Sequence, residues 1–150
     1  MREGKEPRLI SDVIKHLDAN AESYSVITPD GEEMKNINTW LEQMFPIASW
    51  GRIDWRRVPS SVCDKAEGTQ QQEKIVTEIC NSNQLGGDVT VVWTNQIKPG
   101  LRISLETLLR NLPPIIEEDW DTWIANEADG WCIEIYHDGE VCFARIGVAH

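Results

Sequence analysis

Near the C-terminus an Asp138-Gly139 pair separates two runs, Trp131 to His137 and Glu140 to Ile146, that are rich in β-branched and aromatic residues. Asp-Gly suits the positive φ angles of tight turns whose twist matches that of paired strands, so two strands should lie antiparallel here. With a two-residue loop, His137 opposes Glu140, Ile135 opposes Cys142 and Ile133 opposes Ala144. That register places Ile133, Ile135, Cys142 and Ala144 on a core face and Glu134, Tyr136, Val141, Phe143 and Arg145 on the other. A face with Tyr136, Val141 and Phe143 is either covered by another part of the chain or is a binding surface. Cys132 and Cys142 point to opposite faces in this register, which forbids a disulfide between them.

The rest of the chain alternates helical and extended patterns. Leu9, Ile10, Val13, Ile14 and Leu17 recur at helical spacing, predicting a helix from about Pro7 to Asp18 after a charged start over residues 1–8. Tyr24 to Thr28 has strand composition and ends at Pro29-Asp30-Gly31. Met34, Ile37, Trp40, Leu41 and Met44 form the apolar stripe of a helix from Glu32 to Met44, stopped by Pro46. Phe45 to Pro59 reads as irregular, Ser60 to Gln70 as a polar loop, and Gln70 to Cys80 as a third helix. Val89 to Trp93 is the best central strand, bounded by Gly86-Gly87 and Pro99-Gly100. Ser104 opens a capping-box-like helix that Pro113-Pro114 closes, and Trp123-Ile124-Ala125 is a further strand. This order predicts a single α+β domain over residues 1–150, a mainly antiparallel sheet with helices packed on one face.

Charge narrows the function. The 150 residues carry a formal net charge of −11. A chain this acidic cannot hold a phosphate backbone by charge, and an anionic membrane surface is disfavoured for the same reason. No apolar targeting segment follows Met1, and the apolar runs fall far short of a bilayer span, so a soluble, cytoplasmic protein is expected. Cys63, Cys80, Cys132 and Cys142 show no C-x-x-C spacing, which leaves free buried thiols as the preferred reading.

Neither a catalytic set nor a metal or cofactor motif emerges. His16, His137 and His150 are scattered, no G-x-S-x-G is present, and Gly86-Gly87 follows a helix and precedes a strand, the reverse of a phosphate-binding loop. Arg52, Arg56 and Arg57 beside Trp50 and Trp55 form the one dense basic spot. These arginines are expected to pair with carboxylates of the same chain.

The acidity is regional. Between Asn111 and Ala144 there is no Lys or Arg, but there are nine Asp and Glu. Trp120, Trp123, Trp131 and Tyr136 are interleaved with them, and such residues anchor protein interfaces. The expected contact set is Glu117, Glu118, Asp119, Trp120, Asp121, Glu127, Asp129 and Tyr136. Trp123 and Trp131 fit either core or interface. A carboxylate-based enzyme site around Glu117–Asp121 and a DNA mimic are the alternatives.

Asp121-Thr122-Trp123-Ile124, Gly130-Trp131-Cys132-Ile133-Glu134 and Tyr136-His137-Asp138-Gly139-Glu140, with Val89 to Trp93 and Leu101 to Glu106, give the chain a resemblance to the immunity proteins of contact-dependent growth inhibition and related polymorphic toxin systems. The resemblance implies a non-catalytic protein that binds and neutralises the C-terminal toxin domain of a cognate effector. Such toxins are often nucleases with basic clefts, to which an acidic inhibitor is complementary.

Overall fold

The computed structural model describes residues 10–49, 51–95 and 97–146. Its frame is a seven-stranded, wholly antiparallel sheet in the order β1-β4-β3-β5-β6-β7-β2. The strands are β1 (Ser25–Ile27), β2 (Val62–Lys65), β3 (Asp88–Trp93), β4 (Gly100–Ser104), β5 (Thr122–Asn126), β6 (Trp131–Ile135) and β7 (Glu140–Arg145). The helices are α1 (Ser11–Ala19), α2 (Glu32–Met44), α3 (Thr69–Ser82), α4 (Leu105–Arg110) and α5 (Leu112–Ile116). The expected α+β class is the one observed. Among the described residues, no helix is long and apolar enough to cross a membrane.

Both faces of the sheet are buried. On one, Val13 and Leu17 of α1, Val76 and Ile79 of α3, and the apolar residues of α4 and α5 pack on Val89, Val91, Ile124, Trp131, Ile133, Val141 and Phe143. On the other, Met34, Ile37 and Leu41 of α2 join Phe45, Ile53, Trp55 and Val58 over Val92, Ala125, Cys132, Cys142 and Ala144. Packing of the helices on one face therefore holds for four of them, and α2 covers the opposite face. The central strands consequently show near-continuous burial instead of alternation.

The C-terminal hairpin is shifted by one residue from the expected register. Ile133 opposes Phe143, Glu134 opposes Cys142 and Ile135 opposes Val141. The cause is a three-residue loop. Tyr136 N–H donates to the Glu140 carbonyl (2.8 Å), Gly139 N–H donates to the Tyr136 carbonyl (2.9 Å), and Gly139 has φ +104°. A left-handed residue closing a type I turn is the standard three-residue alternative to a two-residue loop. A Cβ on Gly139 would also collide with the Ala66 carbonyl oxygen. The shift exchanges the faces of β7, so Phe143 and Val141 join Ile133 and Ile135, while Cys142 and Ala144 lie with Cys132 and Glu134.

Other boundaries differ for identifiable reasons. The first helix begins at Ser11 behind Ile10, and Pro7 lies outside the described residues. The stretch read as a loop at 60–70 contains β2, an edge strand whose four residues are all exposed and so carries no apolar pattern. β4 was hidden between a turn and a helix start. Pro113 and Pro114 open α5 instead of ending α4, since the first helical turn requires no donor from proline. Ser104 caps α4 as expected, its Oγ accepting from Thr107 N–H (3.1 Å). Ser104→Ala should cost about 1 kcal/mol, read as a lower denaturant midpoint at unchanged m value.

Candidate functional site

The eight expected contact residues fall in two places. The turn after α5 and the loop of the β6–β7 hairpin bring Glu117 to Asp121 together with Tyr136 at one end of the sheet. Glu127 and Asp129 lie beyond the other end of β5, roughly 15 Å away at about 3.3 Å per strand residue.

At the first end an aromatic row crosses the strand ends. Trp120 is 71% exposed. Its ring lies 4.9 Å from that of His137, which lies 4.3 Å from that of Tyr136. The Arg52 guanidinium sits 4.0 Å over the Tyr136 ring, a cation–π contact. A shallow groove of about 380 Å³ runs beside the row, lined by Thr69, Gln72, Glu117, Asp119, Trp120 and His137.

The row is held in place by the acids beneath it. Asp121 is buried, and its Oδ1 accepts from His137 N–H (2.8 Å) and lies 3.0 Å from His137 Nδ1. This ties the hairpin loop to the start of β5. Asp119 accepts from Asn95 N–H (3.0 Å) and from Trp120 N–H (2.7 Å). Lys98 Nζ, only 11% exposed, bonds Glu118 Oε2 (2.6 Å) and the Glu118 carbonyl (2.7 Å) and lies 3.5 Å from Asp119. Glu118 and Asp121 are thus structural side chains at this surface, whereas Glu117 is exposed.

Basic residues remote in sequence meet the acidic stretch throughout. Besides Lys98, Arg52 pairs with Glu134 and Glu140, Lys65 with Asp138, and Arg145 with Asp129 (2.8 Å). Arg102 lies 3.9 Å from Glu127, which also accepts from Thr90 Oγ1. The charge that is unbalanced along the chain is thus partly balanced in space, by five basic side chains against nine acids.

Arg52 also organises the interior. Glu134 is fully buried and accepts from Arg52 Nε (2.8 Å), Ile53 N–H (3.0 Å), Trp55 Nε1 (2.9 Å) and Trp123 Nε1 (2.9 Å). Burial opposes the charge on Arg52, but Glu134 and Glu140 outweigh it and hold its pKa above the ordinary value. The expected pairing of the basic spot with internal carboxylates is therefore found for Arg52, and for Arg56 with Asp54 (3.2 Å). Trp50 lies outside the described residues. Trp131 is core, and Trp123 is half-buried with its indole N–H on Glu134.

A family model described as CdiI immunity protein EcoliA0-like matches residues 8–144. The chain belongs to this CdiI immunity protein family. No curated protein matches it. For this CdiI immunity protein, sequence reading missed two members of the aromatic end. In the sequence His137 is one of three scattered histidines and Arg52 one member of a basic spot. No local signal joins Arg52 to Tyr136, because the contact spans a long chain separation. Among the described residues, one group has metal-ligand spacing: Cys63, Cys142 and Glu140, with ligand atoms within 4.8 Å of one another. Its two sulfurs are bonded to each other and its carboxylate is held by Arg52.

Proposed function

We propose that this CdiI immunity protein neutralises a cognate toxin domain by docking the Trp120–His137–Tyr136 end of its sheet against a basic surface of the toxin, a nuclease cleft being the best fit. The observation that carries this reading is Trp120, a large aromatic left 71% exposed on a pre-ordered turn beside the Glu117 and Asp119 carboxylates. A rigid aromatic with acidic neighbours supplies an anchor and a steering field in one patch. Glu127 and Asp129 contribute at most to long-range steering, since they sit at the other end of β5 and face Arg102 and Arg145.

The protein acts by binding, without turnover. Three of the four carboxylates available to an acid–base site near Glu117–Asp121, those of Glu118, Asp119 and Asp121, are engaged in holding backbone, Lys98 and His137. A DNA mimic is disfavoured because Lys98, Arg102 and Arg145 interrupt the acidic surface, whereas a phosphate ladder is uninterrupted.

The test is a titration against the toxin domain encoded immediately upstream. Trp120→Ala should weaken the complex by about 2 kcal/mol, roughly 30-fold in Kd, mainly through faster dissociation. Its thermal midpoint should stay at the wild-type value, because the side chain is mostly in solvent. Unchanged affinity in Trp120→Ala would place the interface elsewhere.

A further inference from the structure

The four cysteines fall into two chemical classes. Cys80 and Cys132 are free and buried. Burial pushes the Cys80 thiol up to about 12, and burial with the nearby Glu134 charge pushes Cys132 well above its ordinary value, so both are inert. Cys63 and Cys142 oppose each other directly on β2 and β7 and form a disulfide, contrary to the expectation of four free thiols. Cys132 shares a face with Cys142 but opposes Ala144.

The two bonded sulfurs are not equivalent. Cys142 is fully buried, whereas Cys63 is exposed. Cys63 opens onto a cavity of about 410 Å³ whose walls include Arg52, Arg56, Asp54, Ser61 and Glu140. Arg52 Nη2 lies 3.9 Å from Cys142 Sγ. A small thiol can therefore reach one sulfur only, and the sulfur it displaces has a guanidinium beside it. The cavity walls carry both signs of charge, which suits a thiol that itself bears ammonium and carboxylate groups.

The disulfide also carries an unusual structural duty. β2 is an edge strand with no buried side chain. Apart from its ladder to β7, it is held by the Lys65–Asp138 pair (3.2 Å, exposed), by Ala66 N–H on the Gly139 carbonyl (2.9 Å) and by the disulfide. Exposed ion pairs contribute little.

We propose that Cys63–Cys142 is a reversible thiol-exchange site for a small zwitterionic peptide thiol of the glutathione class, and that the bond latches β2 to the sheet. The incoming thiolate attacks Cys63 Sγ, forming a mixed disulfide. The Cys63–Cys142 bond breaks and its electron pair leaves on Cys142 Sγ, a thiolate beside Arg52. A second thiol attacks its counterpart's sulfur in the mixed disulfide and frees Cys63. Two small thiols are thereby oxidised to their disulfide, and the protein disulfide gains two electrons and, from solvent, two protons. In the reverse direction Cys63 attacks the oxidised small thiol, and Cys142 then closes the bond.

The full-length protein, reduced and desalted, is treated with oxidised glutathione and mapped by peptide mass spectrometry. Cys142→Ser should accumulate one adduct, on Cys63, because it lacks the thiol that resolves it. Cys63→Ser should be modified roughly tenfold more slowly, because its remaining partner is buried. Native alkylation of the reduced wild-type chain gives the same comparison without a variant, with Cys63 expected to react roughly tenfold faster than Cys142. Equal modification rates at the two sites, or faster modification of Cys142 than of Cys63, overturn the assignment. For the latch, reduction should speed amide hydrogen exchange in residues 62–65 by roughly tenfold while β5 and β6 amides are unchanged. Unchanged protection of β2 removes that part.

Discussion

Glu134→Ala should destabilise the protein by about 3–5 kcal/mol, the range seen when one partner of a buried ion pair is removed. The carboxylate is 0% exposed and receives donors from Arg52, Ile53, Trp55 and Trp123. Without it, three neutral N–H groups lose their acceptor and the Arg52 charge retains only Glu140. Each orphaned buried donor costs about 1–3 kcal/mol. The damage should be local at first. Glu134 is the one side chain in β6 that grips the segment Arg52–Trp55, so the α2-side layer should loosen before the α1/α3 layer does. Glu134→Gln keeps the shape and one acceptor oxygen and should recover part of the loss. Urea unfolding measures both changes. A Glu134→Ala protein within about 1 kcal/mol of wild type would show that the cluster is a passive consequence of packing.

Reduction of the Cys63–Cys142 bond should produce the second large effect. The bond joins residues 79 apart, and in the chain-entropy model a loop of that length stabilises the native state by about 4.5 kcal/mol. At about 2–4 °C per kcal/mol for a protein of this size, the thermal midpoint should fall by roughly 9–18 °C. Cys63→Ser in oxidising buffer should reproduce the reduced wild-type midpoint, and reductant should then have no further effect on it. Should reduced and oxidised wild type melt together, the crosslink would be constraining an ensemble that is already compact. The ordering of β2 is a separate, local quantity, since an edge strand can detach without global unfolding.

These effects also mark where sequence reading succeeds. The helix at Glu32–Met44, the strand at Val89–Trp93, the capped helix after Ser104 and the hairpin around Gly139 were legible. In each case the apolar period or the turn residue belongs to one short stretch. β2 was not legible, because a strand exposed on both faces has no pattern to show. The hairpin register failed for a different reason. Asp-Gly is compatible with loops of two or three residues. With Ile133, Ile135, Val141, Cys142 and Phe143 all buried, composition could not say which partner set shares a face.

The candidate site divides along the same line. Glu117 to Asp121 and Tyr136 stand out in the sequence because acids and aromatics cluster there, and the fold leaves Trp120 in solvent beside Glu117 and Asp119. Sequence alone determined the antiparallel α+β architecture, the regional acidity and the lack of a catalytic motif, since these depend on composition and short-range periodicity. Tertiary structure decided which acids remain free, which cysteines are joined and which aromatics are exposed. Those outcomes depend on Lys98, Arg52, Cys63 and His137 meeting partners through the sheet. Contacts across 16 to 82 residues are set by strand order and register, which no local pattern encodes.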